Sequence, residues 1–170
     1  MTANVKRVAL VSTGGTIEKT YDPLSGVLAN QVSVLDIMLA SLDLRHLEIE
    51  RVALMNKDSL DMDPADHALI AATAQALARD HDGVVVVHGT DRLAVSGEAT
   101  LALGVPPTPI VFTGAMRPYE LRTTDALQNL TEALLAVQLL APGVYVVMHG
   151  QALAFPGVYK DRDHWTFARA

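Results

Sequence analysis

Short apolar runs that each stop at a glycine or a polar turn constrain this chain more than any other feature. The runs are rich in β-branched residues, and helical patterns separate them. A short apolar run bounded by turn residues is typical of a strand that is buried on both faces. We predict such strands at Val5 to Val11, Gly83 to Val87, Pro109 to Phe112 and Gly143 to Met148, and a further strand at Leu47 to Leu54, where apolar and polar residues alternate.

Capping signals predict where the helices begin. Asp63-Pro64 combines a capping carboxylate with a proline at the first helical position. Ser33 with Asp36, and Asp125 with Gln128, resemble capping boxes. We expect helices at Val34 to Ser41, after Pro64, near Leu93 to Leu103, and from Asp125 to Ala141. We expect a loop at Glu18 to Asn30, which contains Pro23 and Gly26, and an irregular tail at Gln151 to Ala170.

Strands that alternate with helices predict an α/β domain with a mainly parallel sheet. We expect three layers, with helices on both faces of the sheet, in a Rossmann-like or flavodoxin-like arrangement. A length of 170 residues suits one domain with a substantial core, so residues 1–170 are expected to form a single domain. Polar residues and glycines cluster after the strands, at the edge where open α/β sheets build their sites.

Charge and cysteine content argue against several classes of function. The net charge of -6, without any basic run, disfavours nucleic-acid binding. The chain has no cysteine, which excludes disulfides, thiolate catalysis and Cys-ligated zinc. Its six histidines form no H-E-x-x-H pair, so we expect no metal and no cofactor. No apolar run is long enough for a signal peptide or a membrane span, so we expect a cytoplasmic protein without a membrane partner.

The turn Thr13-Gly14-Gly15-Thr16 places two hydroxyls and two glycines at the end of a strand. Glycines let backbone N–H groups approach a ligand closely, and such groups can form an oxyanion hole. A phosphate-binding or purely structural turn is the alternative interpretation. A dinucleotide fingerprint is disfavoured, because the required G-x-G-x-x-G running into a helix is absent.

The segment His88-Gly89-Thr90-Asp91 offers a hydroxyl beside a carboxylate. A carboxylate can bind a substrate ammonium group, whereas the alternative is that Thr90 or Asp91 caps the following helix. Lys160 lies in the irregular tail, and by itself it has the ordinary interpretation of a solvated surface charge.

Taken together, these segments resemble the L-asparaginase family, specifically its N-terminal domain. They occur in the order of the family and cover nearly the whole chain. Two glycine-threonine motifs at successive strand ends, together with Gly-Ala-Met-Arg-Pro, make the resemblance specific. The segments are Thr13-Gly14-Gly15-Thr16-Ile17, Asp58-Ser59-Leu60-Asp61-Met62, Val87-His88-Gly89-Thr90-Asp91, Thr113-Gly114-Ala115-Met116-Arg117-Pro118, and Lys160.

The resemblance implies an amidohydrolase that converts L-asparagine to L-aspartate and ammonia. It implies that Thr16 is the nucleophile and that Tyr21 lies on a flexible loop as its activating tyrosine. It also implies that Thr90, Asp91 and Lys160 form a second catalytic cluster. The substrate-binding residues implied by the resemblance are Gly15, Asp58, Ser59, Gly89 and Asp91, with Ser59 at the α-carboxylate and Asp91 at the α-amino group.

The chemistry of these residue types is consistent with the implied roles. A threonine hydroxyl is a weak nucleophile and needs a partner that removes its proton. Tyr21 can do so only beside a positive charge. Lys160 can act as a base only where burial, which favours the neutral amine, outweighs its pairing with Asp91.

Three features depart from the family pattern. Leu60 stands where many members have a polar residue that touches the substrate. Arg92 stands where the family usually has threonine after His-Gly-Thr-Asp. The usual second domain, which lends an acidic residue to the site of a neighbouring subunit, is missing from this sequence, so we expect a short, single-domain form.

Other functions stay open at this stage. The chain could be a glutaminase or the asparaginase-like subunit of an amidotransferase, a non-catalytic amino-acid sensor, or a nucleotide-binding module. We expect a small amino-acid substrate in each amidase case. We also expect a homodimer or higher homo-oligomer, because a site at the edge of a lone sheet would otherwise be open to water. The helix from Asp125 to Ala141 is the expected interface, and the alternative is a monomer whose tail covers its own site.

Overall fold

A six-stranded sheet runs through the centre of the computed structural model, which describes residues 4–30 and 33–170. Numbered along the chain, its strands are β1 (Lys6–Gly14), β4 (Leu47–Lys57), β5 (Gly83–Val87), β6 (Ile110–Thr113), β7 (Val144–Met148) and β8 (Gln151–Ala154). They lie in the order β4-β1-β5-β6-β7-β8, and only β8 runs antiparallel to its neighbour. The predicted mainly parallel sheet is therefore confirmed.

Helices cover both faces of this sheet. They are α1 (Leu35–Ala40), α2 (Pro64–Leu77), α3 (Leu93–Ala102) and α4 (Ala126–Leu139). Side chains alternate along β1, so Ala9 and Val11 join the apolar core beneath α2 and α3. Val8 and Leu10 join the core beneath α1 and α4. The three-layer arrangement is confirmed, and the strand order is that of flavodoxin-like sheets with one added edge strand.

The start of α2 follows directly from its sequence. The carboxylate of Asp63 accepts a hydrogen bond from the N–H of Asp66, and the Asp66 carboxylate accepts one from the N–H of Asp63. Pro64 occupies the first helical position, where its missing N–H costs nothing. None of the helices in the described residues is long and apolar enough to cross a membrane.

Neither predicted capping box forms, because tertiary contacts occupy the side chains. Ser33 donates its hydroxyl to the carboxylate of Glu18 at 2.5 Å, and its oxygen accepts a long hydrogen bond of 3.4 Å from the N–H of Leu35 at the start of α1. Asp125 accepts hydrogen bonds from the N–H groups of Met116 and Arg117, both at 3.0 Å, and α4 has no side-chain cap. The Ser33 hydroxyl and the Asp125 carboxylate thus each hold a loop in place at the edge of the sheet.

The segment Glu18 to Asn30 is not a plain loop as predicted. A 3₁₀ turn (Thr16–Glu18) leads into a hairpin of β2 (Thr20–Asp22) and β3 (Val27–Ala29). Gly26 makes the hairpin turn with φ of 70° and donates its N–H to the Asp22 carbonyl at 2.8 Å. Proline and glycine mark the turn of this hairpin, and its strands are formed by the residues that flank them.

The predicted irregular tail also contains regular structure. After β8, the chain forms a second hairpin of β9 (Val158–Asp161) and β10 (Thr166–Arg169). Phe155, Val158 and Phe167 are buried in the core beneath α2 and α3. This burial anchors the tail to the sheet and brings β9 close to the carboxyl end of β5.

Candidate active site

The segments that follow β1, β4 and β5 pack closely against one another at the carboxyl edge of the sheet. A Cβ atom on Gly15 would lie 2.5 Å from the Cα of Gly89, and a Cβ on Gly89 would lie 2.6 Å from the Oγ of Ser59. Such distances leave no room for a side chain at either glycine. The two glycines therefore allow three predicted site segments to come together.

Thr16 follows this junction as the first residue of the 3₁₀ turn. It is half-buried, and within residues 4–30 and 33–170 its hydroxyl is joined to no other side chain by a hydrogen bond. The carbonyl of the preceding Gly15 accepts a hydrogen bond from the side chain of Asn30 at 2.8 Å. The segment is thus held by its backbone while the hydroxyl is left for a ligand.

The expected oxyanion hole at the double glycine is wrong. The N–H of Gly14 donates to the carboxylate of Glu18 at 3.2 Å, and the N–H of Gly15 donates to the carbonyl of Lys57 at 2.9 Å. Burial raises the pKa of Glu18 despite its hydrogen bonds from Ser33 and Gly14. Glu18 therefore serves as an internal anchor of this turn.

Lys160 brings the second predicted cluster together. Its Nζ donates to the Oγ1 of Thr90 at 2.8 Å and to the Oδ1 of Asp91 at 2.9 Å. The Lys160 side chain is only 16% exposed, so its interpretation as a solvated surface charge is wrong. A guanidinium nitrogen of Arg162 lies 2.9 Å from the same oxygen of Asp91. Burial alone would raise the pKa of Asp91, but the two cations outweigh it and lower that pKa.

The proposed substrate ligands after β4 already have partners in the protein. Asp58 accepts hydrogen bonds from the N–H of Leu60 at 3.0 Å and from the Nζ of Lys19 at 2.6 Å. Burial opposes ionisation of Asp58, but these contacts outweigh it and lower its pKa. The buried Ser59 accepts a hydrogen bond from the N–H of Arg92 at 3.3 Å. The side chain of Arg92, where the family usually has threonine, donates to the carbonyl of Met62 at 2.8 Å and ties the β5 turn to the segment after β4.

Tyr21 is not joined to Thr16 by a hydrogen bond in the described part of the chain. It lies on β2 with 56% of its surface exposed. Its backbone N–H donates to the carboxylate of Glu120, which tethers the hairpin to the loop after β6. The structure therefore places Tyr21 on a hairpin separate from the six-stranded sheet, and its catalytic role stays a prediction.

Sequence reasoning missed Lys19 and Arg162. Lys19 is a lone cation in a segment interpreted as a loop, and nothing local marks its ion pair with Asp58. Arg162 stands two positions after Lys160, but β9 ends at Asp161 and Arg162 lies in the turn of the hairpin, so strand alternation does not pair the two cations. No local sequence signal marks its contact with Asp91.

The site supplies oxygen and nitrogen groups without a metal-binding cluster. Across residues 4–30 and 33–170, no group of three or more His, Asp or Glu side chains is arranged to hold a metal ion. Among the described residues, this edge presents the Thr16 hydroxyl without a side-chain hydrogen-bond partner and, at the end of the neighbouring strand β5, a lysine–threonine–aspartate cluster.

Comparison with known proteins agrees with the arrangement of these segments. The family profile described as "Asparaginase, N-terminal" matches residues 7–164. Among curated proteins, a subunit of the glutamyl-tRNA(Gln) amidotransferase of Haloquadratum walsbyi is 37% identical over 144 residues, covering 84% of this chain and 33% of the relative. The corresponding subunit from Archaeoglobus fulgidus is 32% identical over 163 residues, covering 92% of this chain and 39% of the relative.

Solved structures show the same relationship. The thermostable L-asparaginase from Thermococcus kodakarensis superposes with a TM-score of 0.84 at 29% identity, covering 96% of this chain and 51% of that chain. L-asparaginase I from Vibrio cholerae superposes with a TM-score of 0.79 at 25% identity, covering 97% and 51%. The chain thus spans between a third and about half of the length of these relatives. The profile match and the similar folds show that this chain belongs to the asparaginase family and corresponds to its N-terminal domain.

Proposed function

We propose that this protein is a cytoplasmic amidohydrolase that cleaves the side-chain amide of L-asparagine, with Thr16 as the nucleophile. The observation that carries the proposal is the contact of Lys160 with both Thr90 and Asp91. It joins a cation, a hydroxyl and a carboxylate at the strand end that packs against Gly15. A purely structural turn has no need of such a cluster beside an unpaired hydroxyl.

The proposed reaction has two halves. In the first, the Thr16 oxygen attacks the amide carbon while its proton passes to a base, and the carbonyl oxygen becomes an oxyanion. The carbon–nitrogen bond then breaks, and the nitrogen takes up a proton and leaves as ammonia. In the second half, water attacks the resulting ester, releases L-aspartate and returns the proton to Thr16.

The charges of the site suit an amino-acid substrate. The lowered pKa of Asp91 reflects its two cations, which outweigh the effect of burial, and the carboxylate that results can hold a substrate ammonium group. Lys160 and Arg162 supply positive charge at this strand end, which would favour a substrate carboxylate or an oxyanion. Fixed charges of this kind stabilise an oxyanion most strongly where water is excluded.

A second candidate is a protein that releases ammonia for a partner enzyme, with asparagine or glutamine as the donor. The curated relatives favour it, because those reported above are named as subunits of a glutamyl-tRNA(Gln) amidotransferase. Ammonia release by the purified protein from L-asparagine, L-glutamine and their D-forms separates the cases. We expect the fastest release from L-asparagine. A clear preference for L-glutamine would favour a glutaminase, and activity that needs an added partner would favour the amidotransferase role.

Tyr21→Phe is expected to lower kcat by roughly 10²-fold, as is typical for loss of a positioned acid–base group. The hairpin that carries Tyr21 is joined to the body of the protein by the contact with Glu120, and it would close over bound substrate. Steady-state ammonia release measures the effect. Tyr159→Phe is the matched control, since Tyr159 is also about half exposed, at 49%. An unchanged kcat for Tyr21→Phe would assign proton removal to another group, with Glu18 the nearest in sequence.

We also propose a homodimer that forms through α4. Leu135 and Leu139 are 57% and 73% exposed and border an apolar groove between α4 and β8. Two-fold dimers are the commonest way to bury such a surface. Because α4 runs antiparallel to the strands, these leucines lie towards the edge opposite the site. In such a dimer the second copy would not cover the site, contrary to the reason for which the sequence favoured an oligomer.

Light scattering tests this proposal. The parent protein is expected to have twice the mass of the chain, and Leu139→Glu is expected to be monomeric with unchanged turnover per chain. Leu69→Glu serves as a control because it replaces another exposed leucine, 48% exposed, with the same charge on α2, which packs on the opposite face of the sheet. A monomeric parent at concentrations where turnover per chain is constant would contradict the proposal.

A further inference from the structure

Three buried side chains behind the β5 turn form a chain of hydrogen bonds that the proposed reaction does not use. His67 belongs to α2, Ser96 to α3, and His88 follows β5; their exposed fractions are 5%, 0% and 0%. The Oγ of Ser96 lies 2.7 Å from the Nδ1 of His67 and 2.7 Å from the Nε2 of His88. The Nδ1 of His88 lies 2.8 Å from the carbonyl oxygen of Gly89.

The direction of these hydrogen bonds follows from the chemistry of their ends. Burial lowers the pKa of His88 to about 4, so its ring is neutral at pH 7. A carbonyl oxygen only accepts, so the Nδ1 of His88 carries the hydrogen and its Nε2 accepts the Ser96 hydroxyl proton. The Ser96 oxygen can then accept from the Nδ1–H of His67. The donors therefore run in one direction, from His67 through Ser96 and His88 to Gly89.

This chain ends on the peptide that links Gly89 to Thr90. In a trans peptide the C=O and N–H groups point in opposite directions. Because the Gly89 carbonyl faces the ring of His88, the N–H of Thr90 points away from it. No acceptor in residues 4–30 and 33–170 is hydrogen-bonded to that N–H. With the N–H groups of Gly14 and Gly15 already engaged, the Thr90 N–H is a donor that is left for an oxyanion.

We propose that His67, Ser96 and His88 are positioning residues that fix the Gly89–Thr90 peptide, and with it the Thr90 N–H and hydroxyl. Gly89 has no side chain that could restrain this peptide, so the hydrogen bond from the His88 imidazole to its carbonyl restrains it instead. The inference rests on the proposed amidase function. Small misplacements of reacting groups cost much more in rate than in stability.

Ser96→Ala removes the hydroxyl at the middle of this hydrogen-bond chain and changes the shape of the side chain very little. We expect kcat for ammonia release to fall about tenfold while KM stays within about twofold, since the lost interaction acts mainly in the transition state. Thr100→Val is the matched control. Thr100 is also fully buried on α3, but its hydroxyl donates only to the backbone carbonyl of Ser96, at 2.7 Å.

His88 offers a test by rescue. His88→Leu removes both ring nitrogens, whereas His88→Asn keeps a side-chain N–H near the position of Nδ1. We expect the asparagine variant to recover most of the kcat that the leucine variant loses. Equal losses of kcat in Ser96→Ala and Thr100→Val would overturn the inference, because they would show that these side chains contribute only packing. Equal losses of kcat in the two His88 variants would overturn it for the same reason.

The amide signal of Thr90 in a ¹⁵N–¹H NMR spectrum gives a readout that is independent of activity. It is expected to shift in Ser96→Ala and to stay in place in Thr100→Val. A parent protein that releases no ammonia from asparagine or glutamine would overturn the proposed function, and the Thr90 signal would still decide this inference. An unmoved signal in Ser96→Ala would overturn it.

Discussion

Thr16→Ala is expected to lower kcat for L-asparagine by roughly 10⁴-fold or more while the protein stays folded, as observed when a covalent nucleophile is removed. The Thr16 hydroxyl has no hydrogen-bond partner in the described residues, and the side chain is only half-buried. Its removal should therefore change the free energy of unfolding by no more than about 0.5 kcal/mol. Ammonia release and thermal unfolding of the same preparation measure both quantities.

Two control variants sharpen this result. Thr16→Ser keeps a hydroxyl at the same position and is expected to retain much more activity than the alanine variant. Thr20→Ala removes another half-buried threonine hydroxyl nearby, at the start of β2, and is expected to leave kcat unchanged. If Thr16→Ala turns over asparagine at close to the parent rate, the assignment of the nucleophile is wrong.

Thr90→Val and Lys160→Met are each expected to lower kcat by roughly 10²-fold to 10³-fold, and the double variant should be scarcely worse than the less active single variant. The reason is the direct contact of 2.8 Å between the two side chains, through which they act as one unit. Residues in one hydrogen-bond network lose their effect together once either is removed. Steady-state kinetics of the parent, both single variants and the double variant complete the cycle.

The structure offers a control for the lost ion pair. In Lys160→Met, Asp91 keeps Arg162 as a partner at 2.9 Å, so no carboxylate is left without a cation and the fold should persist. Lys57→Met breaks the lysine–carboxylate pair with Asp66, at 2.7 Å, and should leave kcat unchanged. Losses for Thr90→Val and Lys160→Met that simply multiply in the double variant would contradict a shared role.

The sheet could be predicted from sequence because its strands are recognisable from local pattern alone. Gly83–Val87 is a short, wholly apolar run, and every residue of β5 is buried. The start of α2 could likewise be predicted from the local sequence, because Asp63, Pro64 and Asp66 together form the cap of the helix. Such elements need no knowledge of the rest of the molecule.

The failures share one physical cause, which is competition from distant partners. Ser33 looks like a helix cap but donates to Glu18, and Asp125 holds the loop after β6. The tail lacks a strong periodic pattern, and its regular structure depends on burying residues such as Phe167 against the core. Within the site, the resemblance placed Lys160, whereas local pattern assigned it to solvent, because its partners lie about 70 positions earlier in the chain.

The position of Lys160 on the β9–β10 hairpin has a consequence for how the protein becomes active. In the described residues, β9 and β10 pair only with each other and with no strand of the six-stranded sheet. A local unit of this kind can open while the rest of the protein stays folded, so the sheet can be intact while Lys160 is away from Thr90. Local opening of that hairpin would abolish activity while the sheet is still folded. A substrate bound by Asp91 and Lys160 would stabilise the docked position of the hairpin. On heating, we therefore expect activity to be lost at a lower temperature than the one at which the sheet unfolds. Bound substrate is expected to reduce the difference between these two temperatures.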